Sequence, residues 1–256
     1  MVQNRLVSGS WLLLAIMLLA PHPVLMSQRT GDYLSRVGSF AQVVSGGGWK
    51  TQITLINRSV SVVTGQISFY SDGGDSLILP LVLPQSNSRT TSSVVGVSIA
   101  PNGTFVVESE AATSSVAVGW ADIQASDLLS GFAIFRFRRT GVADSEGTAL
   151  IVSPAASFVL PYDNTDGSQT GVALANPDSA AATLSLAIRD DNGTQLTSSQ
   201  IIVPAMGHVS FFINNRFPQS MNRRGIVEFR NTSTTVAGMG LRFSPSSTFT
   251  LLPILP

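Results

Sequence analysis

The chain has 256 residues, no net formal charge, and 12% charged against 44% hydrophobic residues. It has no cysteine, which excludes disulfides, zinc-thiolate sites and a thiol nucleophile. Balanced charge provides no cationic excess for holding nucleic-acid phosphate.

In chain order, Arg5 precedes an apolar run at residues 11–20, which Pro21 interrupts. That arrangement predicts a secretory signal or an uncleaved N-terminal anchor over residues 1–27. The run is shorter than the ~20 residues of a membrane-spanning helix. Residues 28–39 read as a linker, and the expected location is secreted or cell-surface, with the periplasm as the other compartment. No membrane span is expected in the mature chain unless the N-terminal segment stays uncleaved.

From Phe40 onward, short alternating apolar runs are punctuated by Gly, Asn, Asp or Pro, the rhythm of an all-β protein. Thr51-Gln52-Ile53-Thr54-Leu55-Ile56-Asn57 returns as Thr170-Gly171-Val172-Ala173-Leu174-Ala175-Asn176. Ile67 and Phe69 are matched by Leu186 and Ile188, and the turn Asp72-Gly73-Gly74 by Asp191-Asn192-Gly193. The unit is too long for a solenoid repeat and reads as a duplicated domain. Further on, Thr104 aligns with His208, Asp122 with Glu228, and Phe135-Arg136-Phe137 with Leu241-Arg242-Phe243. In that last strand the arginines are expected to point outward between two core residues. The fold class is therefore two tandem immunoglobulin-like antiparallel β-sandwiches related by internal duplication, over residues 40–154 and 158–256. Ala155-Ala156-Ser157 forms a stiff joint, and a strand-and-loop segment at residues 77–100 belongs to the first copy alone. Helix is limited to a turn near Ile213-Asn214-Asn215-Arg216 or Ser126-Asp127-Leu128-Leu129.

The runs Gly46-Gly47-Gly48-Trp49-Lys50-Thr51, Phe158-Val159-Leu160-Pro161-Tyr162-Asp163 and Gly240-Leu241-Arg242-Phe243-Ser244-Pro245 resemble a tandem β-sandwich region of secreted bacterial proteins. The resemblance implies an extracellular accessory or surface module and brings no catalytic residues with it.

Candidate chemistry is sparse. Only His22 and His208 could serve a Ser-His-Asp arrangement, and His208 reads as an exposed turn residue. Asp122 and Glu228 read as outward strand residues paired with arginines such as Arg136 or Arg242, not as the converging carboxyl pair of a glycosidase. The acids Asp163 and Asp166 could hold a weak calcium ion, but Asp, Asn and Gly are also ordinary turn formers. The glycines before Trp49 read as a flexible loop that exposes its ring, making Trp49 the candidate for stacking on a sugar, with Tyr70 and Tyr162 behind it and Trp120 read as filling the core. Asn57, Asn102, Asn192 and Asn231 lie in Asn-x-Ser/Thr triplets, where backbone geometry accounts for the asparagine. No cofactor and no enzymatic activity are expected. The expected role is a structural or adhesion-type module at the cell exterior with a protein or polysaccharide partner; the alternative is a carbohydrate-binding module with an aromatic site near Trp49.

Overall fold

A computed structural model describes residues 33–255, apart from Ala112, Val142, Ser233 and Ser247. The signal or anchor expected over residues 1–27 and the first part of the expected linker lie outside the described residues.

The fold is all-β, with four antiparallel sheets. In the first sandwich, β1 (Ser35–Ser45), β8 (Ala117–Ala125), β3 (Val63–Ser71) and β6 (Val94–Ile99) form one sheet in that order. The facing sheet has the order β10 (Ser145–Leu150), β9 (Leu129–Phe137), β2 (Trp49–Asn57), β7 (Thr104–Ser109), β4 (Leu79–Leu83), β5 (Ser88–Ser92). The second sandwich pairs β11 (Ser157–Asp163), β16 (Arg224–Asn231), β13 (Ala182–Asp190) and β14 (Gln195–Val203) against β15 (His208–Phe212), β12 (Gln169–Ala175), β17 (Ala237–Phe243) and β18 (Phe249–Leu252). Removing the β4–β5 hairpin from the first leaves the same pairing scheme in both. That hairpin occupies the segment expected to be unique to the first copy. The only α-helical turn among the described residues is α1 (Ile213–Arg216); residues 126–128 form a loop instead.

Second strand with fifth and third with sixth are pairs that an immunoglobulin sandwich also has, but here the fourth lies beside the third and an eighth beside the seventh. The outer strands are exchanged: the first lies beside the sixth, and the seventh beside the second. β1 begins at Ser35, inside the segment read as a linker, because Ser35–Ser39 continue the ladder against Ala125–Asp122.

Alternation places Ile67 and Phe69 inside one sandwich and Leu186 and Ile188 inside the other, all at 3% exposure or less. The repeated Thr and Asn pin the two ends of the second strand. Thr51 Oγ1 accepts from Val44 N–H and donates to the Val44 carbonyl; Thr170 does the same with Asp163. Asn57 Nδ2 donates to the carbonyls of Ser61, Ile99 and Ala100, and its Oδ1 accepts from Ser59 N–H. Asn176 makes the corresponding bonds to Ala180, Val203, Pro204 and Asp178. Both asparagines are fully buried, so each plugs the end of its sandwich with hydrogen bonds that water cannot replace.

One sequence correspondence shifts. Ile53 lies opposite Ala133 in β2–β9, whereas the matching Val172 lies opposite Gly240 in β12–β17. Thus Phe135 corresponds to Arg242, not to Leu241. Upstream, Ile67–Ile123 and Leu186–Phe229 keep the repeat in step, so the connection before β17 carries one extra residue. A one-residue slip reverses every side chain in a strand. Met239 and Leu241 consequently face the first sandwich, while Gly238, Gly240 and Arg242 face the partner sheet. A Cβ at Gly238 would stand 2.6 Å from Phe158 and one at Gly240 2.4 Å from Leu160; these glycines let β11 pack close. Arg136 does point outward, paired with Glu146.

Replacing Asn57 or Asn176 by alanine is expected to cost about 3 kcal/mol each, because each change strands several buried backbone groups. Denaturant midpoints should fall by similar amounts in the two variants; a large loss in only one would show that the plugs are not equivalent.

Candidate functional site

The two sandwiches lie within one compact unit. The two central strands of the β15-β12-β17-β18 sheet, β12 and β17, are buried on both faces over most of their length, while Ser210 on the β15 edge stays exposed. Val172 and Leu174 enter the core of the second sandwich, while Ala173, Ala175, Ala237, Met239, Leu241 and Phe249 join the core of the first. Small side chains make that approach feasible: Gly171 and Ala173 stand where the first sandwich has Gln52 and Thr54. On the other side of the junction, β1 crosses the face of this sheet and Phe249 packs over Gly147 of β10.

A polar clasp borders the apolar contact. His208 is fully buried rather than exposed in a turn; its Nδ1 lies 2.8 Å from Asp72 Oδ1 and its Nε2 3.0 Å from Gln42 Oε1. His208 N–H also donates to the Asp72 carbonyl. Burial follows from the β3–β4 turn of the first sandwich resting on the 204–207 turn of the second, where a Cβ at Gly74 would stand 2.2 Å from the Ala205 carbonyl oxygen. Both imidazole nitrogens thus face structural partners, a carboxylate and an amide, where a Ser-His-Asp arrangement would set a hydroxyl against one of them. Trp120 fills the core at 0% exposure, and its indole N–H donates to the Met206 carbonyl.

Asp122 is also a junction residue, not an outward one. It is completely buried and accepts from Arg36 Nε at 2.7 Å, Ser39 Oγ at 3.3 Å and Gln124 Nε2 at 3.0 Å. Arg36 in turn donates to the Pro177 carbonyl of the second sandwich. Its counterpart Glu228 lies 3.6 Å from Arg189 on a partly solvated face. Arg136 and Arg242 have other partners, Glu146 and Asp163.

Trp49 departs from its expected place. Gly46 and Trp49 exchange backbone hydrogen bonds around Gly47 (φ 60°) and Gly48 (φ 88°), a tight hairpin requiring positive φ at both central residues. The turn delivers the indole onto the junction, stacked on Phe137 at 4.4 Å and tilted against Phe249 at 5.4 Å. A ring face needed for sugar stacking is therefore taken. Tyr70 stacks on Trp120, and Tyr162 is buried, which together with nearby Asp190 pushes its hydroxyl up to about 12.

Beside Trp49 the junction leaves an apolar cleft of about 260 Å³, lined in part by Gln42, Phe135, Ser210, Phe212 and Phe243. The lining contains no ionisable side chain. Ser210 replaces Val106 of the first sandwich, and Gly171 leaves room for the edge-on pair Phe212–Phe243. A cleft at a domain interface with aromatic walls and a few polar groups is a common form of small-ligand site. It is the candidate site here.

At the calcium candidate, Asp163 Oδ1 accepts from Thr165 N–H and Oγ1, and Oδ2 accepts from Arg242 Nε at 2.9 Å. Asp166 lines a separate polar groove in which Asp190 and Asp191 face Arg223 and Arg224. Among the described residues no group of three or more metal-ligating side chains converges. Partial burial pushes the Asp163 carboxyl upward, but the Thr165 hydrogen bonds and Arg242 outweigh it and hold the group below its ordinary 3.8.

Two outcomes follow. Arg36→Ala should cost about 3 kcal/mol because it leaves a buried carboxylate unpaired; adding Asp122→Asn should recover part of that loss in a denaturation cycle. Asp163 contributes stability above its unfolded carboxylate range, which is lost as pH falls through its lowered folded value. The unfolding free energy of Asp163→Asn should therefore decline less steeply with acid than that of the parent, and equal slopes would rule out the contribution. Compared with known proteins, the chain matches no family model, no curated protein and no solved structure.

Proposed function

We propose that the chain is a non-enzymatic, secreted or surface-held module that acts by attachment, spacing or assembly at the cell exterior. The observation carrying this reading is the junction: one sheet serves both sandwiches, and Arg36, Asp72, Trp120 and His208 cross between them. A body built this way holds its outer surfaces at a constant separation, which suits a spacer or scaffold. The residues that chemistry would draw on, His208 and Asp122, are occupied in forming it. Export rests on the apolar segment at residues 11–20, and the resemblance to secreted bacterial sandwiches agrees with it.

The cleft favours a second reading, binding of a small neutral ligand. Its aromatic walls suit the apolar face of a sugar or a comparable ring, held against Phe212 and Phe243 beside the edge of Trp49 rather than flat on the indole. Ser210→Phe fills this space from a strand residue whose side chain is solvent-facing, so the fold should tolerate it. The full chain is expected to sediment with isolated cell envelopes or insoluble polysaccharide, and Ser210→Phe should sediment equally well. Loss of sedimentation in that variant alone would favour the cleft reading, and failure of the parent to sediment with any of these materials would overturn attachment.

A further inference from the structure

We propose that β14 is an assembly edge, pairing antiparallel with β14 of a second copy of this chain about a two-fold axis at Gln200. The outer edge of a sheet displays unpaired N–H and C=O groups, and proteins normally block it with charge, proline, brevity or a covering segment. The other edges carry such devices. Val152 exchanges two backbone hydrogen bonds with Ser39 on β1, and Leu255 does the same with Val159 on β11. The Asp72 carbonyl accepts from β15. β5 is five residues long and carries Arg89, β10 carries Glu146, and β18 is four residues long and runs into Pro253. β6, the counterpart of β14, is six residues long with Gly96 inside it, and glycine weakens a strand.

β14 lacks charge, proline and brevity, and what packs near it from outside its sheet is the three-residue turn Pro218–Ser220, too short to cover a nine-residue edge. The strand runs for nine residues, Gln195-Leu196-Thr197-Ser198-Ser199-Gln200-Ile201-Ile202-Val203, without a charge or a proline. Its pairing with β13 is interrupted between Ile188 and Arg189, which leaves Thr197–Val203 as the regular portion. The midpoint of that portion is Gln200.

A second copy is the occupant chosen because the strand is uncharged along its whole length and its exposed Ile202 gains a neighbour when the strand meets its own copy. About Gln200, Thr197 falls opposite Val203 and Ser199 opposite Ile201 on the inner side; Ser198 falls opposite Ile202 on the outer side. Inner and outer faces therefore stay in phase across the axis, as continued pleating requires. No like charges meet, the two Gln200 amides can hydrogen-bond to each other, and Ile202, 64% exposed in the single chain, gains a neighbour. The result is one continuous sheet running from β11 of one copy to β11 of the other, an isologous interface closed by its two-fold axis.

This inference names the partner for the assembly part of the proposed function and rests on that reading. The test uses the full chain, whose lack of cysteine makes single-cysteine variants unambiguous. Residues directly opposite in an antiparallel pair have Cα atoms about 4.5–5.5 Å apart, within disulfide reach. Gln200→Cys should cross-link to a covalent dimer on mild oxidation, whereas Ser198→Cys and Ile202→Cys should remain uncrosslinked. In sedimentation equilibrium Gln200→Lys and Gln200→Glu should each weaken dimerisation by roughly fivefold or more, and mixing the two should restore it. A Gln200→Cys chain that stays monomeric, controls that cross-link as fast, or a mixture that fails to re-associate would overturn the pairing. A chain that sediments with envelopes yet does not cross-link would refute β14 pairing while leaving attachment intact; cross-linking without sedimentation would do the reverse.

Discussion

The architecture depends on one sheet whose central strands, β12 and β17, have no solvent face. An antiparallel sheet in a two-layer sandwich usually turns one surface to the core and the other to water. Here the second surface of β12 and β17 is covered by the first sandwich. Polar positions there would have been buried without partners, at a cost of a few kcal/mol each. Ala173, Ala175, Ala237 and Met239 avoid that cost, and the polar groups that remain at the margin, His208 among them, are matched across the junction.

Polar residues common to both sandwiches do a different job from those found in only one. Thr51 and Thr170, and Asn57 and Asn176, satisfy the backbone where the second strand enters and leaves its sheet. Those bonds are internal to each sandwich, so they recur with the same partners. Asp122, Gln42, Asp72 and His208 have no such duty. They serve the joint, which exists once, and their counterparts lie in different surroundings: Glu228 is partly solvated, and Thr104 stands where the second sandwich has His208. Arg242 shows the same division. It takes the core position of Phe135 and closes the end of the second sandwich through an ion pair with Asp163 instead of with an aromatic ring.

Much of the fold was legible because alternation, turn residues and the repeat are local properties. Ile67 and Phe69, the Asp-Gly turns and the extra hairpin of the first copy could all be read along the chain. The β17 register could not, because Phe-Arg-Phe and Leu-Arg-Phe look alike while one additional residue in the preceding connection reverses the strand. A usable signal was nevertheless present in β12. Replacement of Gln52 and Thr54 by Gly171 and Ala173 abolishes polar alternation, which is how a strand buried on both faces reads. The candidate site was less legible than the fold: Trp49 was singled out, but its ring was expected in solvent, and Gln42, Ser210 and Phe212 bore no motif.

By itself the sequence determined an all-β chain in two similar parts, without thiol chemistry and with neutral net charge, since composition and periodicity do not depend on distant contacts. Tertiary structure alone decided which faces meet. Whether His208 is exposed, Asp122 is solvated, Trp49 offers a free ring or an edge such as β14 stays open depends on residues more than a strand away. Those placements are set by packing two sandwiches against each other, an interaction with no local period to betray it.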